Sequence, residues 1–333
     1  MDTSFLKRPR HVFIGHHLMT IAFLGALFLT NESVAQPSVL VVRPEGSQFR
    51  EAVKGMADDL GREMSINELI LDRQNPPLDR ALRQFKPSAM ILMDNSAIAG
   101  YRKWLSITGD SSGAPPPAIA LMGILVGEAI TGMPNTEAIS YEIPIVTSTV
   151  HLRSIINAPI KKIGVVHRAL MGNCIEQNRE SCLRENILII NKCLPDNGGF
   201  MRFKLKRALI ELLEKERVDA LWVPNDNVLL SPSFLTTVWI PQVKKNRKPV
   251  IVGIEALAKP DLEFGTLAVL PDHVALGVQA AALLLDARKN KWKVRSGAVE
   301  PSLSVYKVLN LRQARAWYNV PMDRCKAIDK FLQ

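Results

Sequence analysis

The chain has 333 residues, of which 47% are apolar and 22% are charged. This composition is typical of a globular protein and excludes an intrinsically disordered chain, and the length allows two domains of ordinary size. The net charge is +10, but the basic residues are scattered except for two local groups, at residues 244–248 and 288–293. We interpret both groups as solvated helix ends, and we expect no nucleic-acid binding.

The first 35 residues have the pattern of a secretory signal peptide. Lys7, Arg8 and Arg10 precede an apolar stretch at residues 18–29, and Ser33-Val34-Ala35 supplies the small residues of a cleavage site. The apolar stretch is shorter than the roughly 20 residues that span a bilayer, although an uncleaved anchor is the alternative. We expect cleavage after Ala35 and a soluble mature protein in the periplasm.

Four cysteines follow the leader: Cys174, Cys182, Cys193 and Cys325. An oxidising compartment permits disulfides, and four cysteines allow three complete pairings. Cys174 and Cys182 lie about two turns apart on one predicted helix, which is too far for a bond, so a link between Cys182 and Cys193 is favoured. The spacings match no zinc pattern.

From Gln36 onward, apolar runs of strand length alternate with amphipathic segments of helical spacing. This pattern predicts strands at residues 38–43, 66–71, 88–93 and 118–122, and helices at residues 48–64, 77–85 and 96–106. The alternation weakens between Gly123 and Pro144, where Gly, Thr, Pro and Asn dominate, so we predict a change of domain there.

The alternation then resumes in a second unit. It predicts helices at residues 145–156, 173–184, 201–217, 235–244, 273–288 and 311–317, and strands at residues 161–167, 186–191, 220–223, 249–253, 265–270 and 302–309. Strands separated by helices of this length imply right-handed crossovers and mostly parallel sheets. The predicted fold class is therefore α/β, with two doubly wound lobes and a cleft between them.

Polar residues follow the predicted strands in both units. Ser47, Asn95 and Ser96 follow strands of the first unit, and His167, Arg168, Asn225, Asp226 and Glu255 follow strands of the second. Ligands of open α/β sheets bind beyond the carboxyl ends of the strands, so these residues predict a site for a small polar ligand. Each also has a structural alternative, such as helix capping by Ser47, Ser96 or Asp226.

Sequence motifs for catalysis are absent: the chain has no nucleophile elbow, zincin, Walker or dinucleotide-binding motif. A trio of Ser96, His167 and Asp226 could be assembled in space, but nothing in the spacing requires it. We therefore expect neither an enzyme nor a cofactor, and no metal site.

The second half of the chain resembles the substrate-binding proteins of ABC transporters with the type I periplasmic binding fold, in the tryptophan/tyrosine-binding-like branch. The resemblance rests on KKIGVVHRA, VDALWVPNDNVLL, KPVIVGIEALAKPDLEFGTLAVLPDHVALGVQAAALLL and PSLSVYKVLNLRQARAWYNV, which match in order and spacing between Lys161 and Val320. The match of the strand that ends Pro-x-Asp-Asn is fairly specific.

The resemblance implies two lobes that close on a ligand, with three crossings of the chain between them. Lobe 1 would comprise residues 36–139 and 272–297, and lobe 2 residues 140–271 and 298–333. The family's polar strand end falls on Asn225 and Asp226, and its acidic hinge residue falls on Asp272. Two positions depart from the family pattern. His167-Arg168 stands where the family commonly has a Tyr followed by small polar residues, and Glu255 stands where a small residue or Asp is usual.

These observations predict a monomeric solute-binding protein that delivers an amino acid or related metabolite to an ABC permease in the inner membrane. Asp226 would bind a ligand ammonium group and Arg168 a carboxylate, while Asn225, Ser96 and Ser47 would supply neutral hydrogen bonds. The alternative is a protein of the same fold that senses a ligand or binds a partner and signals to a membrane receptor.

Overall fold

Two β-sheets organise the chain. The computed structural model describes residues 36–71, 78–108 and 115–333, so the predicted signal peptide and its cleavage site lie outside the described residues. Residues Gln36–Gln333 form one compact unit. Among the helices of the described ranges, none combines the length and the apolar character that crossing a bilayer requires.

The first sheet has six strands in the order β11-β5-β4-β3-β1-β2, and every neighbouring pair is parallel. Its strands are β1 (Ser38–Pro44), β2 (Ser65–Leu71), β3 (Ala89–Met93), β4 (Ala118–Leu121), β5 (Thr136–Ile139) and β11 (Val299–Glu300). Helices α1 (Ser47–Leu60), α2 (Leu78–Phe85), α3 (Asp94–Thr108), α4 (Val126–Ile130) and α10 (His273–Lys289) accompany it. Because helices cover both faces, strands such as β3 are buried along their whole length.

The second sheet has seven strands in the order β13-β12-β10-β9-β8-β6-β7, in which only the β10–β12 pair is antiparallel. The strands are β6 (Lys162–Arg168), β7 (Leu188–Leu194), β8 (Ala220–Val223), β9 (Val250–Val252), β10 (Leu267–Pro271), β12 (Val305–Asn310) and β13 (Lys330–Leu332). The helices are α5 (Ile145–Ile155), α6 (Gly172–Arg184), α7 (Met201–Ile210), α8 (Pro232–Phe234), α9 (Ile240–Asn246) and α11 (Leu311–Tyr318). A π-helical turn, Glu211–Lys215, extends α7, and another, Leu235–Trp239, joins α8 to α9.

Helix α10 packs on the first sheet although it follows a strand of the second. Its Leu276, Ala280 and Leu284 belong to the same buried cluster as Met56 of α1. Two glycines allow the helices to approach closely: a Cβ on Gly277 would clash with the backbone of Ala52, and one on Gly55 with the backbone of Val274. The chain therefore returns to the first sheet after β10.

The chain passes between the sheets three times: between β5 and α5, between β10 and α10, and between β11 and β12. Val299 and Glu300 pair with Ala138 and Ile139 of the first sheet, whereas the sequence prediction placed residues 298–333 in the second lobe. The remaining lobe boundaries stay a prediction.

The segment between Gly123 and Pro144 is more regular than the sequence indicated, because it contains α4 and β5. Strand β5 was not predicted because it begins with polar residues. Thr136 and Glu137 are both buried, and Glu137 forms an ion pair with Arg295 at 3.4 Å. Strands β11 and β13, of two and three residues, are also absent from the prediction.

The favoured link between Cys182 and Cys193 is wrong. All four cysteines carry free thiols. Cys182 lies in the core between α6 and the second sheet, whereas Cys193 is exposed near the end of β7. The two side chains thus lie in different environments, and neither is placed to bond with the other.

Candidate functional site

Strand ends from the two sheets meet around two cavities. Asn95 follows β3 in the first sheet, and it lines a cavity of about 420 Å³ together with Arg168, Asn225 and Asp226 of the second sheet. We call this the Asn225 cavity. A second cavity of about 800 Å³, the Ser47 cavity, is lined by Ser47 from the first sheet and by Glu255 and Asp272. Seven of the nine predicted site residues thus line these cavities, and Ser96 and His167 line neither.

Arg168 and Asp226 form an ion pair in the Asn225 cavity. Arg168 Nε donates to Asp226 Oδ2 at 2.7 Å, and Arg168 Nη1 donates to the carbonyl oxygen of Asp196 at 3.1 Å. Asp226 Oδ1 accepts hydrogen bonds from the backbone N–H groups of Val228 and Leu229. Both carboxylate oxygens of Asp226 are therefore occupied, and the predicted role of Asp226 as the partner of a ligand ammonium group does not fit this arrangement.

Asn225 is a buried polar side chain of this cavity with an unpartnered oxygen. It is 8% exposed, and its Oδ1 has no hydrogen-bond partner among the described residues. The amide packs on Gly253, where a Cβ would lie 2.6 Å from both Oδ1 and Nδ2 of Asn225. Gly253 thus leaves room for the Asn225 side chain at the end of β9.

Asn95 lies in the first turn of α3 and connects this helix to the loop after β4. Its Nδ2 donates to the carbonyl oxygen of Ile124 at 2.9 Å, and its Oδ1 accepts from the N–H of Ile124 at 2.6 Å. The neighbouring Asp94, Met122 and Leu125 all have positive φ, a conformation that costs energy for residues other than glycine. Asn95 therefore links the start of α3 to the loop after β4, where the backbone is strained, at the rim of the cavity.

The trio of Ser96, His167 and Asp226 is not assembled, since no hydrogen bond joins any two of these described side chains. Ser96 Oγ bonds to Asp94 Oδ1 at 2.7 Å. His167 is buried, with Nδ1 bonded to the carbonyl oxygen of Arg168 and Nε2 to Asn191 Nδ2. His167 is thus a satisfied strand-end histidine and Ser96 part of a helix-start turn.

Charged groups of the Ser47 cavity are mostly paired. Lys330 Nζ donates to Glu255 Oε1 at 2.8 Å, and Asp272 Oδ1 caps α10 by accepting from the N–H of Ala275. Ser47 begins α1 and makes no side-chain hydrogen bond among the described residues. Glu255 and Asp272 therefore have structural partners, while Ser47 is available to a ligand.

The Ser47 cavity also contains a row of three interacting side chains that the sequence analysis missed. Tyr141 Oη lies 3.1 Å from His273 Nε2, and His273 Nδ1 lies 3.1 Å from Glu51 Oε2. Burial, with the nearby Glu142 and Glu51 carboxylates, raises the pKa of Tyr141 to about 12. Tyr141 lies between β5 and α5 and His273 begins α10, so each lies where the chain passes between the sheets.

A third cavity, of about 620 Å³, lies beside the Asn225 cavity and shares Leu125 and Glu128 with it. Its lining includes Glu142, Cys174 and Trp222. Glu142 accepts hydrogen bonds from the N–H of Leu125 at 2.7 Å and from Ser140 Oγ at 3.2 Å. Burial raises the pKa of Glu142, and burial with the two glutamates raises that of Cys174 to about 11.

Glu128 was also missed by the sequence analysis, because it lies in the segment where the alternation weakens and a change of domain was predicted. It is exposed, and its side chain forms neither an ion pair nor a hydrogen bond among the described residues. Only its position five residues after Gly123, which follows β4, could have drawn attention to it. Glu128 thus provides a free carboxylate on the first-sheet side of the Asn225 cavity.

Comparison with known proteins identifies the fold. No family model and no curated protein matches the chain. Among solved structures, a ligand-free, open substrate-binding protein with adhesive properties from Clostridium difficile aligns with a TM-score of 0.62 and 13% identity, over 89% of this chain and 99% of that one. An ABC domain in complex with L-Trp from Streptococcus pneumonia aligns with a TM-score of 0.54 and 15% identity, over 89% and 100%.

A conserved domain protein from Vibrio cholerae aligns with a TM-score of 0.52 and 17% identity, over 89% of this chain and 99% of that one. Together these similarities show that the chain has the type I periplasmic binding fold, as the sequence predicted. At such low identities the similarity establishes the fold but does not identify a ligand, which has to be inferred from the residues of the cleft.

Proposed function

We propose that this chain, a type I periplasmic binding fold, is the exported solute-binding component of an ABC importer and captures an amino acid or related metabolite between its lobes. The observation that carries the proposal is that polar strand ends of both sheets line the same two cavities. A ligand held there contacts both sheets, so binding favours closure of the cleft. The chain would act as a monomer in the periplasm and deliver its solute to an inner-membrane permease.

The charges of the Asn225 cavity support a zwitterionic ligand. Arg168 uses Nε and Nη1 in bonds to Asp226 and Asp196, while its Nη2 makes no hydrogen bond among the described residues. Nη2 is therefore available to a ligand carboxylate. Glu128 lines the same cavity with a free carboxylate, and no ion pair joins it to Arg168.

In this arrangement Asp226 orients Arg168 and Glu128 binds the ammonium group. The role that was predicted for Asp226 would fall to Glu128 on the first-sheet side of the cavity, so that the two charges of an amino acid would connect the sheets. Asn225, with its unpartnered Oδ1, would supply a neutral hydrogen bond in the same cavity, whereas Ser47 would do so only for a ligand in the Ser47 cavity.

A thermal-shift screen of residues 36–333 against amino acids, nucleosides, small peptides and sugars tests the proposal. A ligand present at 100 times its dissociation constant stabilises a protein by roughly 2.7 kcal/mol, which such a screen detects. We expect an amino acid to stabilise the protein and Glu128→Gln to reduce the effect. The control Glu180→Gln changes an exposed glutamate of α6 outside the cleft and should leave the shift unchanged.

The alternative is a ligand-sensing or interaction protein of the same fold, a role favoured by the adhesive properties of the Clostridium difficile structure. A screen without any hit would support this alternative, as would a gene for a sensor kinase or outer-membrane receptor next to that of the chain. Adjacent permease and ATPase genes would support import.

A further inference from the structure

Two phenylalanines are exposed at the start of α7. Phe200 is 85% exposed and Phe203 is 66% exposed. Helix α7 packs on the second sheet through the opposite side, which carries Met201, Leu205 and Leu209. With 3.6 residues per turn, Phe203 lies away from these buried positions, so its exposure follows from the register of the helix.

Basic residues surround the two rings. Arg202, Lys206 and Arg207 are exposed, and Lys204 is half-buried. Within the described part of the chain, Arg202, Lys204 and Lys206 form no ion pair, whereas Arg207 Nε lies 3.1 Å from Glu211 Oε1. We call the surface formed by Phe200, Arg202, Phe203, Lys204, Lys206 and Arg207 the Phe200 patch. It combines two apolar rings with positive charge that is largely not neutralised.

Another basic segment with an aromatic residue behaves differently. Lys291 and Lys293 are exposed, but Trp292 between them packs against the buried cluster of the first sheet. The aromatic residue there serves the core. In the Phe200 patch both rings lie outside the core, so the fold does not account for them.

The shape of the patch indicates what kind of partner it binds. None of its residues lines the cavities described above, and Phe200 directly follows two exposed loop glycines, Gly198 and Gly199, around which a Cβ would meet nothing. The rings thus form a projection and not a pocket. Aromatic rings flanked by Lys and Arg suit the boundary between headgroups and acyl chains of an anionic bilayer, which needs no complementary shape.

We propose that the Phe200 patch docks the protein on a membrane surface rich in anionic phospholipid. The position of the patch determines which side of the second sheet would face the membrane. Strand β7 pairs in parallel with β6, so that Leu194 lies beside Arg168, and the patch follows Leu194 in the chain. Docking therefore brings the carboxyl ends of the second sheet, including the Arg168 side of the Asn225 cavity, towards the membrane. The contact itself does not depend on any solute.

Sedimentation with vesicles tests the proposal. Residues 36–333 are mixed with vesicles of phosphatidylcholine alone or with 30% phosphatidylglycerol added. We expect binding to the anionic vesicles only, weakened by salt because exposed charges are screened. Each Lys or Arg near an anionic surface contributes about fivefold to binding, so Lys204→Gln/Lys206→Gln should weaken it roughly 25-fold. Phe200→Ser/Phe203→Ser should weaken it by at least about tenfold.

Matched variants separate the patch from general charge attraction. Lys291→Gln/Lys293→Gln removes the same charge elsewhere, and Leu303→Ser removes another exposed apolar side chain, which is 80% exposed. Both should bind like the unaltered protein, and all variants are checked for unchanged melting temperature. Equal losses in the control variants would overturn the proposal. Absence of binding to anionic vesicles would also overturn it and would leave an acidic protein as the occupant of the patch.

Discussion

Arg168 Nε lies 2.7 Å from Asp226 Oδ2, and the side chain of Asp226 is 1% exposed whereas that of Arg168 is 15% exposed. The pair joins the end of β6 to the loop after β8, at the edge of the second sheet that lines the Asn225 cavity. Because Asp226 also accepts two backbone hydrogen bonds, the carboxylate is fixed, and it fixes the guanidinium in turn. The same ion pair thus neutralises a buried carboxylate and sets the orientation of the Arg168 guanidinium, for which we propose a role in ligand binding.

The first prediction concerns this pair. Arg168→Met should lower the free energy of unfolding by about 3–5 kcal/mol, because it leaves the buried Asp226 carboxylate without its cation. Arg184→Met is the matched control: it breaks an exposed pair with Glu180, which contributes about 1 kcal/mol or less. Urea unfolding of residues 36–333 measures both changes. Equal costs for the two variants would show that the Arg168–Asp226 pair is not a buried one.

Gly253 provides a second prediction. Gly253→Ala should displace the Asn225 amide and cost about 1–3 kcal/mol of stability, because the new Cβ would lie 2.6 Å from that amide. It should also weaken the ligand-induced thermal shift, and Asn225→Ala in the same chain should restore stability. Gly100→Ala on α3, where a Cβ meets nothing, should instead stabilise by about 0.5–1 kcal/mol. An unchanged ligand shift in Gly253→Ala would remove Asn225 from the site.

The third prediction concerns the crossing of α1 and α10. Gly277→Ala should lower the melting temperature more than Gly253→Ala does, because its Cβ meets the backbone of Ala52 and Met56 and cannot be relieved by a rotamer change. Overpacking costs typically about 1–3 kcal/mol, and more where the backbone must move. A Gly277→Ala variant with the stability of the unaltered protein would contradict the close packing of these helices.

The fourth prediction is a pH dependence caused by Glu142. Burial raises its pKa above the ordinary value of 4.5, so the folded state holds this proton more tightly than the unfolded state does. Its contribution to stability is complete below pH 4.5 and is lost as the pH rises through the raised pKa. Glu142→Gln, which stays neutral, should therefore gain stability relative to the unaltered protein as the pH rises from 4 to 7.

Urea unfolding at both pH values measures that difference, and Glu180→Gln, at an exposed position, serves as the control. Glu137 also has a pKa raised by burial, but it is present in all three proteins, so its effect cancels in the comparison. A constant difference between Glu142→Gln and the unaltered protein at the two pH values would refute the role of Glu142.

Much of the fold could be predicted because buried parallel strands have continuous runs of apolar residues in the sequence. Val39 to Val42 and Ala89 to Met93 are examples, and both are fully buried in the first sheet. Strand β5 was missed because its Glu137 is buried next to Arg295, a partner 158 positions later. A single sequence does not indicate which charged residue has a distant partner. A buried charged residue is therefore predicted to lie on the surface.

The same limit applies to the candidate site. Strand-end reasoning located Arg168, Asn225 and Asp226, and these residues do line one cavity. It did not show that Arg168 and Asp226 bond to each other across 58 positions of sequence, which changes the role of the carboxylate. Nor did it identify Glu128, because the short helix α4 that carries it follows a loop with no clear periodicity.

Small-angle X-ray scattering of residues 36–333, with and without the amino acid found by the thermal-shift screen, tests the central claim most directly. A ligand that contacts strand ends of both sheets favours the closed cleft, so the radius of gyration should decrease on binding. Glu128→Gln should require more ligand for the same decrease. A ligand that binds and stabilises the protein while the radius of gyration stays constant would contradict capture between the lobes.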